Sequence, residues 1–444
     1  MKALKRRAAQ VAKRNGKLAY DACDAVDYLR DHPTPSVFER VQNELRGGLL
    51  YIEEELRWHQ RRKARRRTRF AGCDRSNEGI RTLTIAHSRE LRALEEALSA
   101  QRRLLKQIGD AFAWVALGYN ARSIVPYFSE RRTHHLPSGI GLVGQASIAI
   151  KAHATGKYIV LENDLTRCLG MGDITVVGLN RPTLPLSIEL KSSGALIIGG
   201  PLDVQASLAV LQTPEHEQLF EEFSSDTGLA TNDSREPIGH PDKQTAEIAE
   251  RLAIAATLSR GSTRVNPGAH DHWAEMEATL ADALRHGYGV HTPSNDIAFL
   301  GVDLNAPDAQ QSAIAGFEEL RVRGFAPKDR KYSALSIKSM HREVTMSWAA
   351  PPIALWPVSL EIRAGLLAEQ ISLVVVTSPD LWQRAFADEG VTLSQGESAW
   401  HVTSDSGNTA TLDYVEMCAL KAGVAFGGLS PRAVAAAVYQ ELLK

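Results

Sequence analysis

The sequence predicts a mixed α/β protein in three parts: a helical, basic N-terminal arm over residues 1–109, a central α/β domain over 110–304, and an α+β domain over 305–444. Three observations carry this. Apolar residues recur at helical spacing through the first 110 positions. Two short β-branched runs flank a turn within residues 172–194. After residue 305, strand-like and helix-like segments alternate. With 444 residues, 44% hydrophobic and 23% charged, the chain has room for two or three ordinary globular cores.

The arm starts from Ser36-Val37-Phe38-Glu39, a capping box, followed by Val41, Leu45, Leu49, Ile52 and Leu56 at helical spacing. Gly47-Gly48 predicts a break or kink. Then comes RWHQRRKARRRTRF, residues 57 to 70, in which eight of fourteen residues are Lys or Arg. Arg61, Arg62, Lys63, Arg65, Arg66, Arg67 and Arg69 are read as phosphate contacts, in preference to a merely solvated helix end. A second helix is expected from His87 to Ile108, with Leu91, Leu94, Leu98 and Leu105 on one side. Two such helices suggest a hairpin arm and a candidate homodimer element, although apolar stripes more often form plain core. Residues 1–110 carry 25 Lys or Arg against 15 Asp or Glu, and the remainder 26 against 37. A net charge of −1 therefore hides a basic arm and an acidic body.

The central domain holds the most informative stretch, GDITVVGLNRPTLPLSIELKSSG. Asp173 to Val177 and Leu186 to Lys191 read as strands, and Asn180-Arg181-Pro182-Thr183 as the turn between them. Alternation puts Glu189 and Lys191 on one face and Leu186, Ile188 and Leu190 on the other. A hairpin symmetric about Arg181 sets Asp173 opposite Glu189, where like charges repel. Such a pair calls for a cation. Lys191 is one, and a hard divalent ion, which takes one or two carboxylates and keeps its waters, is the better one. Two carboxylates, a metal and an ammonium group suit attack of water on a phosphodiester. The bland reading is an exposed hairpin with cross-strand salt bridges.

Asp173, followed across a turn by Glu189-Leu190-Lys191, resembles the PD-(D/E)XK motif of the restriction-endonuclease-like nucleases. The resemblance implies a core of helix, three strands, helix and strand (αβββαβ). It implies Mg²⁺, or Mn²⁺ in its place, held by Asp173, Glu189 and the Leu190 carbonyl, with Lys191 serving the attacking water. Gly172 stands where the family often has proline. The order of elements agrees: a helix over Gly144–Ala154, a strand over Tyr158–Leu161, then the motif, then a helix over Leu202–Phe223 with a break near Thr213-Pro214. Auxiliary positions are Gln145, where the family often has a metal-linked Glu; Glu162 and Asp164, either metal-linked or a solvated strand end; and Gln205, which resembles a substrate-side glutamine but reads more simply as a surface residue. Gly289 to Val302 is expected to supply one or two strands completing this sheet.

The implied activity is an Mg²⁺-dependent endonuclease, DNA preferred over RNA on the family's habit, with defence against foreign DNA as an analogy. The alternatives are a nuclease-like fold that binds nucleic acid without cutting it, an RNA-directed nuclease, or a coincidental hairpin.

Other segments narrow the field. Residues 129–144 form a basic, glycine-rich loop, but no Walker A motif occurs in the chain. The neighbouring His134 and His135, and the His270-Asp271-His272 run, have poor geometry for one metal. Residues 224–243 read as a polar linker. Ile371 to Thr377 reads as a strand, Pro379 to Phe386 as a helix, and Ser430-Pro431 as the start of a last helix. Four scattered cysteines form no C-x-x-C pair, which fits a reducing cytoplasm. No apolar run is long enough to span a bilayer, so no membrane partner is expected. The basic start lacks the apolar stretch of a secretory signal; it is acid-poor like a transit peptide, yet has no Ser.

Overall fold

The structure, a computed structural model, describes residues 2–71, 78–119, 124, 136, 140–169, 172–193, 203–208, 214–231, 272–325, 333–336, 352–395, 399–413 and 435. It opens on three helices, α1 (Lys2–Asp31), α2 (Pro35–Ala71) and α3 (Glu78–Ala116). The expected stripes are buried: Leu45, Leu49 and Ile52 on α2, and Leu91, Leu94, Leu98 and Leu105 on α3. α2 runs unbroken through Gly47-Gly48, contrary to the expected break. Gly48 serves close approach instead, because a Cβ there would meet Leu105 Cδ1 at 3.0 Å.

These helices are part of the body. Cys23, Val26 and Leu29 of α1 share one core with Trp356, Ile362 and Leu366, which lie more than 300 residues away. Arg363, on a later helix, clasps Asp27 of α1 through Nη1 at 2.8 Å and Nη2 at 2.5 Å.

Next comes α4 (Ile140–Ala154), then β1 (Tyr158–Glu162), β2 (Ile174–Gly178), β3 (Arg181–Ser193), β4 (Asp203–Leu208), α5 (Pro214–Thr227) and the short β5 (Ala230–Thr231). The sheet order is β1-β2-β3-β4-β5. The first four strands are antiparallel neighbours and β5 lies parallel to β4. Helices cover both faces. Val160, Ile174, Val176, Leu186 and Ile188 pack with Ile148 and Ala152 of α4 and Phe223 of α5. Ile159, Leu161 and Val177 face the core shared with α2 and α3.

The hairpin register agrees with symmetry about Arg181 over Ile174↔Ile188, Thr175↔Ser187 and Val176↔Leu186. It then shifts between Val176 and Gly178, so that Gly178 pairs with Arg181 around a tight turn at Leu179-Asn180. The turn is thus shorter than expected. Pro182 and Pro185 sit in the stretch of β3 that β4 does not pair, where their missing N–H groups leave that ladder intact.

Two expectations are corrected. The helix expected over Leu202–Phe223 is a strand followed by a helix: Val204, Ala206 and Leu208 alternate with Asp203, Gln205 and Ser207, a period of two, and Pro214 opens α5. One strand more than αβββαβ results. That helix also takes in Ser224 to Thr227, the first residues of the expected linker.

The strands expected to complete this sheet belong to another. After α6 (Trp273–His286), β6 (Tyr288–Ser294) and β7 (Ile297–Asp303) form a hairpin. Helix α7 (Ala309–Val322), β8 (Ser333–Ser336), α8 (Leu360–Leu367) and β9 (Ile371–Thr377) follow. The second sheet has the order β6-β7-β9-β8. β7 pairs with β9 from Ile297↔Thr377 to Asp303↔Ile371, because two apolar strands each need a covered neighbour. A boundary at 304/305 falls inside this sheet, and one at 109/110 falls inside α3.

α9 (Pro379–Ala387) is capped by Ser378, whose side chain accepts the Asp380 N–H. A meander of β10 (Val391–Gln395), β11 (Ala399–Ser404) and β12 (Thr409–Asp413) ends the described fold. The 129–135 part of the basic loop with His134 and His135 lies outside the described residues, as does the expected last helix from Ser430 apart from the buried Ala435. Among the described residues no helix is long and apolar enough to cross a membrane.

Candidate active site

Asp173 directly precedes β2, where the β2–β3 ladder ends. Its N–H donates to the Ile188 carbonyl at 2.7 Å and its carbonyl accepts the Asn163 N–H at 3.0 Å. One oxygen of its carboxylate, Oδ2, takes the Leu190 N–H at 2.7 Å. The side chain therefore replaces a ladder bond and lies against the peptide joining Glu189 to Leu190.

Gln145 reaches the same point from α4. Its Nε2 donates to Asp173 Oδ1 and to Asp164 Oδ2, each at 3.2 Å. Asp164 sits in a 3-10 turn, Asn163–Leu165, that follows β1. Two acids 9 residues apart in sequence, at the two ends of the β1–β2 connection, thus converge on one amide. Gln145 is buried, and its Oε1 has no hydrogen-bond partner among the described residues.

α3 supports this turn. Lys106, Gly109 and Asp110 share a helical face at i, i+3 and i+4. Lys106 Nζ donates to the main-chain carbonyl of Asp164. Burial pulls its pKa from 10.5 to about 8, with Asp164 as the largest influence in the other direction. Gly109 lets the turn rest on the helix, since a Cβ there would collide with the Leu165 carbonyl oxygen. The buried Asp110 accepts the Arg167 and Cys168 N–H groups at 2.5 and 2.9 Å, and Arg167 Nε at 2.7 Å. Asn163 accepts the Thr175 hydroxyl at 2.8 Å and donates to Gly172 O at 3.3 Å. None of Lys106, Asp110 or Asn163 stood out in the sequence as a functional candidate. The available signal was Lys106, Gln107 and Asp110 within the apolar run from Leu104 to Ala116, where a polar group has to find a partner.

Glu162 has a different task. It is not a solvated strand end: it is fully buried, and Arg46 of α2 clasps both its oxygens, one at 2.8 Å through Nε. Burial raises its pKa, and the Arg46 guanidinium opposes that shift. The pair locks β1 to α2.

Glu189 and Lys191 lie on β3, beside the Asp173 carboxylate by backbone position; their side chains are outside the described ones. Gln205 lies on β4, opposite Lys191 in the register, rather than on a helix. Ser207 is opposite Glu189.

The basic stretch of α2 is divided. Lys63 Nζ donates to Glu95 at 2.5 Å. The guanidinium of Arg62 lies 5.1 Å from the Trp58 ring centroid, and so does that of Arg7. Arg57, Arg61 and Arg65 are exposed. The side chains of Arg66, Arg67 and Arg69 are outside the described ones.

Among the described residues no three His, Cys, Asp or Glu side chains form a metal group; Glu189 is not among them. The residues fit a hard divalent ion nonetheless. Asp164 and Asp173 offer oxygens on either side of one amide, and the Gln145 Oε1 is an orphan acceptor. A half-turn of that amide exchanges its nitrogen and oxygen and completes an all-oxygen set, the kind Mg²⁺ takes at about 2.1 Å. No protein-family model, curated protein or solved structure matches the chain.

Proposed function

We propose that the protein is a divalent-metal-dependent nuclease that hydrolyses phosphodiester bonds, with DNA as the preferred substrate. The observation that carries this is the convergence of Asp164 and Asp173 on the Gln145 amide, next to the strand bearing Glu189 and Lys191. Asp164, Asp173, Glu189 and the Gln145 oxygen would hold Mg²⁺ or Mn²⁺. Bound there, the ion would polarise a phosphoryl oxygen and lower the pKa of its water. Lys191, two residues beyond Glu189, would orient that water.

Supercoiled plasmid incubated with Mg²⁺ or Mn²⁺ should be nicked, and EDTA should stop it. Asp173→Ala should abolish nicking. It should also remove the rise in thermal midpoint that Mg²⁺ or Ca²⁺ produces in the parent by mass action. Undiminished nicking by Asp173→Ala would sink the assignment. Duplex and single-stranded RNA, run in parallel, decide whether RNA is the substrate instead.

One observation favours a second reading, a nucleic-acid-binding protein without catalysis. The Gln145 nitrogen stands between two acids where a cation would go. That reading predicts DNA binding, no cleavage with any divalent ion, and no metal-dependent midpoint shift.

A further inference from the structure

We infer that the exposed edge of α2 grips the backbone of duplex DNA, in line with the candidate active site and about five to seven base pairs to one side of the bond that is cut. The inference rests on the nuclease reading above and adds a direction and a length to it.

The near end of α2 is docked beside the site. Gln42 donates to Val160 O at 2.7 Å and accepts the Glu162 N–H at 3.0 Å. Arg46 clasps Glu162, two residues before Asp164. The helix then continues without a break to Ala71. Eleven residues make three turns and about 20°, so Arg57 returns to the side of Arg46, and Arg61 follows at about 60°. At 1.5 Å per residue they stand about 16 and 22 Å farther along the axis. B-DNA rises about 3.4 Å per base pair, which turns those lengths into about five to seven base pairs.

Charge and neighbours select the partner. Of the acids one turn earlier, Glu53 is tied to Arg102 at 2.9 Å and Glu55 to Arg7, which leaves Glu54 exposed. Arg57 and Arg61 have no carboxylate partner among the described residues; Arg61 Nε makes a long 3.4 Å contact to the Arg57 carbonyl. Cations at one-turn intervals on a rigid rod suit a rigid polyanion. A single strand would call for aromatic platforms, and Trp58, the aromatic residue among these arginines, already carries Arg7 and Arg62.

The test uses the full chain and an Arg57→Ala/Arg61→Ala variant. In the first measurement, binding to a 30-base-pair duplex of mixed sequence is followed against salt in EDTA. The slope of log affinity against log salt should flatten by about 1.8, that is about 0.9 for each lost phosphate contact. In the second, end-labelled duplexes are cut with Mg²⁺. The parent should leave about the last five base pairs at one end polarity uncut, and the variant should cut into that margin. An unchanged salt slope overturns the grip. Parent cuts that run up to both ends overturn its placement. A parent that cuts nothing, with a slope that still falls in the variant, supports the grip and removes the nuclease reading.

Discussion

At the scale of the residue, Lys106 places an ammonium group beneath the Asp164 carbonyl with almost no contact with water, 3% of its surface remaining exposed. Its pKa is about 8 in the fold against 10.5 in the unfolded chain. Between those values the unfolded state binds more protons, so this residue makes stability rise with pH from about 8 to 10.5. Below pH 8 both states are protonated and the fold carries the whole cost of burying the charge. Lys106→Met removes this titration. The stability difference, parent minus variant, should therefore move in the parent's favour by about 3 kcal/mol across the window, at 1.36 kcal/mol per pKa unit. Urea midpoints of both proteins from pH 7.5 to 10.5 measure it; a difference flat with pH would dismiss the buried-charge account.

At the scale of the element, two glycines in long helices separate propensity from packing. Gly47 is exposed, and an added Cβ would meet nothing within 4 Å. Gly47→Ala should therefore stabilise by up to about 1 kcal/mol, the usual helix-interior gain. Gly109 has the same backbone conformation and the opposite expectation. Its Cβ would strike the Leu165 carbonyl, which is backbone and cannot swing aside. Gly109→Ala should cost about 1–3 kcal/mol, the range for overpacking. It should also weaken the Mg²⁺-induced rise in thermal midpoint, because the turn it displaces carries Asp164. Denaturation with and without Mg²⁺ checks both parts, and a Gly109→Ala protein as stable as the parent would mean the turn has room. This turn was only half legible in the sequence: Glu162 and Asp164 stood out as acids at a strand end, but nothing local told which would face the site. Arg46 and Gln145, from two helices, separate them.

At the scale of the whole molecule, the N-terminal helices and the C-terminal strands share one core, joined by the Asp27–Arg363 pair across 336 residues. Removing one partner of a buried pair strands the other. Asp27→Ala should cost about 3 kcal/mol, since it leaves the buried Arg363 uncompensated. Unfolding followed by tryptophan fluorescence and by far-ultraviolet circular dichroism should remain one coincident transition at lower temperature. Two separate transitions would show that arm and body fold independently.

The sequence by itself determined what is encoded within about a dozen neighbouring residues. The α2 and α3 stripes, the Ile371–Thr377 strand, the Pro379 helix and the apolar face of Leu186, Ile188 and Leu190 all follow from periodicity. So does the β2–β3 register, because a slip of one residue would turn Ile174 and Ile188 away from the α4 core. Partner choice over long separations was decided only by the tertiary structure. Val204, Ala206 and Leu208 are too few to distinguish strand from helix until β3 offers them an edge. β6 and β7 read as strands in the sequence, but β9, some seventy residues on, decides their sheet. The candidate site divides the same way. Asp173, Glu189 and Lys191 lie on one hairpin and were visible together, and the β1–β2 pairing brings Asp164 beside Asp173, whereas Gln145 and Lys106 join them only because α4 and α3 pack against that connection.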